Sequence, residues 1–188
     1  MKLLTFLCAF LLCGHLRAQK SVSDLQLQDV VNGQPFSLTK LIARKGVVLV
    51  FTGNECPFDR YYRERLRSVI QQYEKTIAFV FINSYGEPTE SAEAMKTEFA
   101  TWQLPVPYLA DKDQKVLSIF EVRKSPEVVV LKPGSGMFTS IYQGALDDSP
   151  QAAESVEVSY LSDALEALLT GGTPPAGARA VGCTIRRK

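Results

Sequence analysis

Two nearly unbroken apolar runs frame the chain, GVVLVF over 46–51 and IAFVFI over 77–82. Apolar runs of this length without alternation predict strands buried on both faces. Between them, residues 59–75 place Tyr62, Leu66, Val69, Ile70 and Tyr73 at spacings of three and four, with Arg60, Arg63, Glu64 and Arg67 elsewhere. That spacing predicts a surface helix with one apolar face. Strand, helix and strand together make a βαβ unit with a parallel sheet. Upstream, 25–38 alternates as a short hairpin turning at Asn32-Gly33, and 38–43 forms one helical turn. Downstream, 90–102 predicts a helix with Ala94, Met95, Phe99 and Trp102 inward, stopped by Pro105 and Pro107. Residues 108–110 read as a connecting strand only, and 111–122 as a short helix carrying Val116, Leu117, Ile119 and Phe120. Strands over 127–131 and 137–142 flank a Pro/Gly turn, 144–155 is a loop, and 158–169 is a last helix with Leu161, Ala164, Leu165 and Leu168 inward.

Composition adds an address. The chain has 188 residues, 46% hydrophobic and 22% charged, enough for one substantial core, with no internal repeat. Residues 1–18 combine Lys2, an apolar run from Leu3 to Cys13 and the small Ala18, the pattern of a secretory signal peptide. The organisation expected is 1–18 signal peptide, 19–170 a single α/β domain and 171–188 a flexible tail carrying Cys183. Localisation would then be periplasmic or secreted, with no membrane association after signal cleavage. Cleavage would remove Cys8, Cys13, Lys2, Arg17 and the single histidine, His15, leaving 19 basic against 20 acidic residues. That balance offers no nucleic-acid footprint. A mature chain without histidine excludes Ser-His-Asp and Cys-His catalysis, histidine zinc ligation and C-x-x-C-H haem attachment. The aspartates at 111, 113, 147 and 148 lack the twelve-residue spacing of an EF-hand, so no metal and no cofactor is expected.

Two thiols remain, Cys56 and Cys183. Cys56 follows the strand and the Thr52-Gly53-Asn54 break, and Pro57 suits the first helical position, where no donor is needed. A cysteine at a helix start is favoured as a thiolate by the first-turn N–H groups and the helix dipole, so Cys56 is expected to be a reactive nucleophile. Its charged neighbours pull two ways: Arg60 would lower the thiol pKa, while Glu55 and Asp59 would raise it. Cys183 is the one thiol able to resolve an oxidised Cys56. An intramolecular bond would be either a reducible couple or a permanent staple closing a long loop, and an intermolecular bond through the tail is the third option.

The order of elements, with the segments VFTGNECPFDRYY, VPYLADKDQKV, SPEVVVL, YQGALDDSP and the terminal VGCTIRRK, resembles the thioredoxin-like superfamily, in particular the redoxin branch of AhpC/TSA and TlpA-like exported proteins. The resemblance covers residues 25–188. It implies a thioredoxin-like α/β fold: a central mixed sheet flanked by helices, with an N-terminal β-hairpin and a helical insertion. It places Cys56 at the nucleophile position and Pro126 at that of the cis-proline beside the thiol, with Pro57, Ser125 and Pro126 forming the substrate-binding surface and the Ser125 backbone presented to an extended substrate. The chain departs from the family patterns as well. The second cysteine of C-x-x-C is replaced by Asp59, an earlier cysteine by Gly53, and Thr52 lies four residues before Cys56, not the three of P-x-x-x-[TS]-x-x-C.

The function expected is an exported thiol–disulfide oxidoreductase or peroxiredoxin-like thiol antioxidant serving cell redox homeostasis. Catalytic residues would be Cys56 and Cys183, with Arg60 and Glu55 tuning the thiolate. Its partners would be a protein or small-molecule disulfide or peroxide and an external thiol reductant. The alternative is a non-catalytic thioredoxin-fold binding module stapled by a Cys56–Cys183 disulfide.

Overall fold

The computed structural model describes residues 19–188. The signal-peptide reading of 1–18 lies outside the described residues. Strands β1 (Ser21–Val22), β2 (Gln26–Asp29), β3 (Pro35–Ser37), β4 (Gly46–Phe51), β5 (Ile77–Asn83), β6 (Tyr108–Ala110), β8 (Glu127–Pro133) and β9 (Phe138–Gly144) form one mixed sheet in the order β1-β9-β8-β4-β5-β6-β2-β3. A separate two-stranded sheet joins β7 (Lys124–Ser125) to β10 (Cys183–Thr184). The helices are α1 (Pro57–Tyr73), α2 (Ala92–Ala100), α3 (Lys115–Phe120) and α4 (Tyr160–Thr170).

Every residue of β4 and β5 is buried, and alternate side chains of β4 go to opposite faces. Val48 and Val50 pack with Tyr62, Leu66 and Ile70 of α1, Met95 and Phe99 of α2 and Leu161 and Leu165 of α4. Val47, Leu49 and Phe51 pack with Val116, Leu117 and Phe120 of α3. Period-two geometry in a strand covered on both sides thus accounts for the unbroken apolar run. β4 pairs in parallel with β5 across α1, as the βαβ pattern requires, and antiparallel with β8. The fold is thioredoxin-like, with β2 and β3 as the N-terminal hairpin and α2 in the segment between β5 and β6.

Two readings of the sequence change. Residues 108–110 are a full member of the sheet, parallel to β5 and antiparallel to β2, because the buried Tyr108 and Leu109 bridge the hairpin to the core. Ile119 is 40% exposed: in a helix of only six residues, Val116, Leu117 and Phe120 fill the inner face and Ile119 points away.

The segment expected to be a flexible tail makes regular contacts across the top of the domain. Ala145 N–H donates to Ala178 O, and Ile185 N–H to Arg123 O. Gln114 Nε2 donates to Arg186 O, and Lys188 N–H to Gln114 Oε1. Ile185 is buried in the α3-side core, worth about 1.5–3 kcal/mol on general grounds. Residues 172–181 carry no helix or strand, yet this stretch packs on the end of β9 at Gly144 and Ala145, and the next residue, Gly182, lies against Ser125 and Pro126.

Candidate thiol site

β4 ends at Phe51, and the loop 52–55 carries the chain to Cys56, the N-cap of α1 with Pro57 at the first helical position. A parallel strand feeding a helix places that helix start at the carboxyl end of the sheet. Cys56 is buried, 3% exposed, and bonded to Cys183 with an S–S distance of 2.08 Å and a Cα separation of 5.9 Å. Of the options open in the sequence, the intramolecular bond is the one the structure contains.

Cys183 reaches Cys56 as part of a strand. It pairs antiparallel with Ser125, and Thr184 with Lys124, directly before the cis Ser125–Pro126 bond. Ser125 and Pro126 are therefore both beside the disulfide, and both are buried, with the tail lying over them. The backbone edge expected to face an extended substrate is occupied by the protein's own C-terminal strand. Cys56 Sγ lies 3.5 Å from Ser125 O.

The remaining expected site residues divide. Pro57 is exposed at the rim. Glu55 is exposed, and its backbone N–H, not its carboxylate, is used by the site. Arg60 is exposed and reaches the carbonyl of Asn54 at 3.5 Å. Thr52 is buried, and its hydroxyl has no hydrogen-bond partner among the described residues.

The polar groups that organise the site lie underneath it. Asp59, 1% exposed, accepts from Gly53 N–H (3.1 Å) and from Ser125 Oγ (2.7 Å). Burial pushes its pKa up to about 7, against the downward pull of Ser125 Oγ, Gly53 N–H and the Thr52 hydroxyl. Ser125 Oγ also lies 2.7 Å from Tyr85 Oη, and Tyr85 Oη lies 3.5 Å from Cys183 O. Glu90, 2% exposed, accepts from Asn54 N–H, Glu55 N–H and Asn83 Nδ2 and so clamps the cysteine loop from the other side. Asn83 Nδ2 also donates to Tyr108 Oη, and Lys112 Nζ donates to Asn83 Oδ1 and Tyr85 O. Burial lowers the Lys112 pKa to about 8.

Sequence reasoning missed Glu90, Tyr85 and Ser125 Oγ as members of one network. The sole signal was compositional: Glu90 opens a helical pattern whose neighbours are solvent-facing, and nothing local says it turns inward. Asp59 was legible by position, three residues after Cys56 and on the same helical side, but not by state.

A cavity of about 180 Å³ adjoins Pro126, lined by Tyr62, Asp147, Tyr160, Arg179 and Val181 among others, so the tail forms part of its wall. A larger one, about 400 Å³, lies at the opposite ends of the strands near Ile77 and Pro105, away from both cysteines.

Comparison with known proteins agrees with this architecture. The model of the AhpC/TSA family matches residues 18–138. A solved structure of an uncharacterized conserved protein from Geobacillus kaustophilus is 28% identical, with a TM-score of 0.78, covering 88% of this chain and 89% of that one. A hypothetical protein from Sinorhizobium meliloti 1021 is 26% identical, with a TM-score of 0.79, covering 88% of this chain and 91% of that one. An exposed lipoprotein thioredoxin from Streptococcus pneumoniae shares the fold at 19% identity and a TM-score of 0.52, covering 68% of this chain and 92% of that one. No curated protein matches the sequence.

Proposed function

The chain belongs to the AhpC/TSA family, and on that footing we propose that it is an exported thiol–disulfide oxidoreductase in which Cys56 is the nucleophile and Cys183 the resolving thiol. The observation that carries this reading is the seat of Cys183: it is bonded to Cys56 while paired, as a strand, with Ser125 beside cis Pro126. Strand addition to an exposed backbone edge is how extended peptides are commonly held. The tail occupies the place that an extended substrate with its own cysteine would take.

The chemistry follows. In the reduced protein the Cys56 thiolate attacks one sulfur of a substrate disulfide, forming a mixed disulfide and expelling a thiolate. The Cys183 thiolate then attacks the Cys56 sulfur, expels the second substrate thiolate and closes the bond seen here. An external thiol reductant returns both cysteines to thiols. All electrons reside in sulfur, and the reading needs no cofactor.

Two observations favour disulfide exchange over peroxide reduction. The carbonyl oxygen of Ser125 lies 3.5 Å from Cys56 Sγ, a neighbour that suits a peptide and offers no proton to a peroxide oxygen. Arg60 is directed to Asn54 O, and the hydroxyl of Thr52 is buried without a partner. With a peroxide, the same thiolate would form a sulfenic acid that Cys183 condenses to disulfide and water.

The test is to reduce the protein and follow its mass with oxidised glutathione and, separately, with hydrogen peroxide. Oxidised glutathione is expected to close the Cys56–Cys183 bond and, in Cys183→Ser, to leave a stable adduct on Cys56. Faster closure by peroxide would select peroxidase chemistry. A bond that resists excess dithiothreitol in the folded protein would leave the stapled binding module standing.

A further inference from the structure

Asp59 stands where its family pattern would put the second cysteine of C-x-x-C, and the site is built around it. It is the third residue of α1, one turn beyond the N-cap Cys56, and its carboxylate touches both loops that define the site. Oδ2 takes Gly53 N–H from the cysteine loop and Ser125 Oγ from the proline loop. Oδ1 is buried and makes no hydrogen bond of good geometry among the described residues, although the Thr52 hydroxyl, itself unpartnered, is close enough to pull the carboxyl pKa down. An ionised carboxylate in such a place is normally satisfied on both oxygens, and a half-satisfied one is costly. Among the described residues no cation offsets it: Lys112 Nζ is engaged by Asn83 and Tyr85, and Arg60 is exposed on Asn54 O.

We propose that Asp59 is the positioning residue of the thiol site: it ties the Gly53 loop to Ser125, and in the reduced protein its charge sets the pH at which Cys56 becomes a thiolate. The inference rests on Cys56 being a reactive thiol. Cys56 is the N-cap and Asp59 the third residue of α1, and both side chains meet at Ser125: the Asp59 carboxylate 2.7 Å from its Oγ and the Cys56 sulfur 3.5 Å from its carbonyl oxygen. Two negative charges that close in a buried site repel, so the pair holds one proton over a range of pH in which either member alone would have released it. The exchange is a proton transfer and nothing more: Cys56–SH with Asp59 carboxylate is in balance with Cys56 thiolate and Asp59 carboxylic acid. A burial-raised carboxyl, at about 7, is matched to that exchange at neutral pH.

The other titratable and charged groups around Asp59 act on its balance from each neighbouring element. Glu90, ahead of α2, adds negative charge and pushes the Asp59 pKa up. Tyr85, after β5, is held neutral by burial and reaches Asp59 through Ser125 Oγ. Tyr108 on β6, also neutral, contacts Asn54 Oδ1 at 3.5 Å. Lys112, Arg60 and Glu55 complete the set, the last two exposed.

The test uses the full chain with Cys183→Ser, so that Cys56 stays reduced, and reads the rate of alkylation by iodoacetamide against pH. This parent is expected to show two inflections. Adding Asp59→Asn keeps an acceptor for Gly53 N–H and a partner for Ser125 but removes the charge. It is expected to leave one inflection, at lower pH, and to raise the rate at pH 6 by roughly three- to tenfold, since one unit of thiol pKa is tenfold in thiolate below the pKa. Adding Ser125→Ala in place of Asp59→Asn removes a hydrogen bond that favours the carboxylate, and a smaller shift in the same direction is expected; it decides the matter where Asp59→Asn does not fold. Profiles superimposable on the parent in a folded variant overturn the proposal. Alkylation needs no turnover, so that result stands apart from a Cys56 unreactive in every variant, which would overturn the thiol reading itself.

Discussion

Gly182 lies against the carbonyl of Ser125 so closely that a Cβ on it would overlap the oxygen, and Pro126 Cδ would be 3.2 Å away. The tail can lie flat on the proline loop because the residue before Cys183 has no side chain. Gly182→Ala must push β10 away from β7, weakening the Cys183–Ser125 pairing while leaving both cysteines in place. The Cys56–Cys183 bond is then expected to be easier to reduce, with its equilibrium against a glutathione redox buffer moved about tenfold or more towards the dithiol. An unchanged equilibrium would mean that the seat of the tail does not hold the bond.

The disulfide joins residues 127 apart in sequence. On the chain-entropy model a loop of this length restricts the unfolded state by about 4–5 kcal/mol. Cys183→Ser is therefore expected to lower unfolding stability by several kcal/mol in urea melts, and dithiothreitol to do the same to the unmodified protein. The two losses should not add.

Much of this was readable from the chain. The βαβ core follows from apolar runs that alternate faces in a strand covered on both sides, and the position of Cys56 follows from the strand break and Pro57. What was not readable is long-range. Nothing near 108–110 announces that it bridges a hairpin to β5, since a three-residue strand has too few positions to show a period. Nothing in residues 171–188 announces that they are laid down by contacts to Ala145, Arg123 and Gln114, up to 74 residues away. Glu90 was hidden for a related reason: its three donors come from residues 54, 55 and 83, so its burial is decided by tertiary partners and not by the helix it precedes.

Glu90 also carries a stability prediction. Glu90→Ala leaves the Asn54 and Glu55 N–H groups without their acceptor and Asn83 Nδ2 with Tyr108 Oη alone, and unsatisfied buried donors cost about 1–3 kcal/mol each. A loss of roughly 2–4 kcal/mol in denaturant unfolding is expected, with Glu90→Gln losing less because its amide oxygen still accepts. An Ala variant as stable as the parent would show that water replaces the carboxylate without penalty.

Asp59 gives the oxidised protein a pH dependence of definite sign. Its folded pKa, raised by burial to about 7, exceeds the ordinary aspartate value of 3.8. Between those values the folded state binds more protons than the unfolded state, so stability falls as pH rises from about 4 to about 7 and levels off above. Asp59→Asn is expected to be close to the parent in stability at pH 4 and roughly 2–4 kcal/mol more stable at pH 8. Urea melts at the two pH values check it, and a gain of equal size at both would point to packing in place of charge.

The two sulfurs of the bond are unequally placed, and that sets where a reductant attacks. Cys56 is 3% exposed beneath the tail, whereas Cys183 is half-buried on the outer strand. Attack at Cys183 expels Cys56 thiolate at the start of α1, where the helix N-terminus stabilises negative charge, and a better-stabilised leaving thiolate departs faster. Attack at Cys56 would need the tail to lift first and would expel a thiolate with no helix behind it. Mixing the oxidised protein with a small monothiol, quenching with acid and mapping the adduct by peptide mass is expected to find most of the early mixed disulfide on Cys183. An early adduct chiefly on Cys56 would mean that β10 leaves its seat before exchange, making tail opening, and not sulfur accessibility, the step that controls reduction.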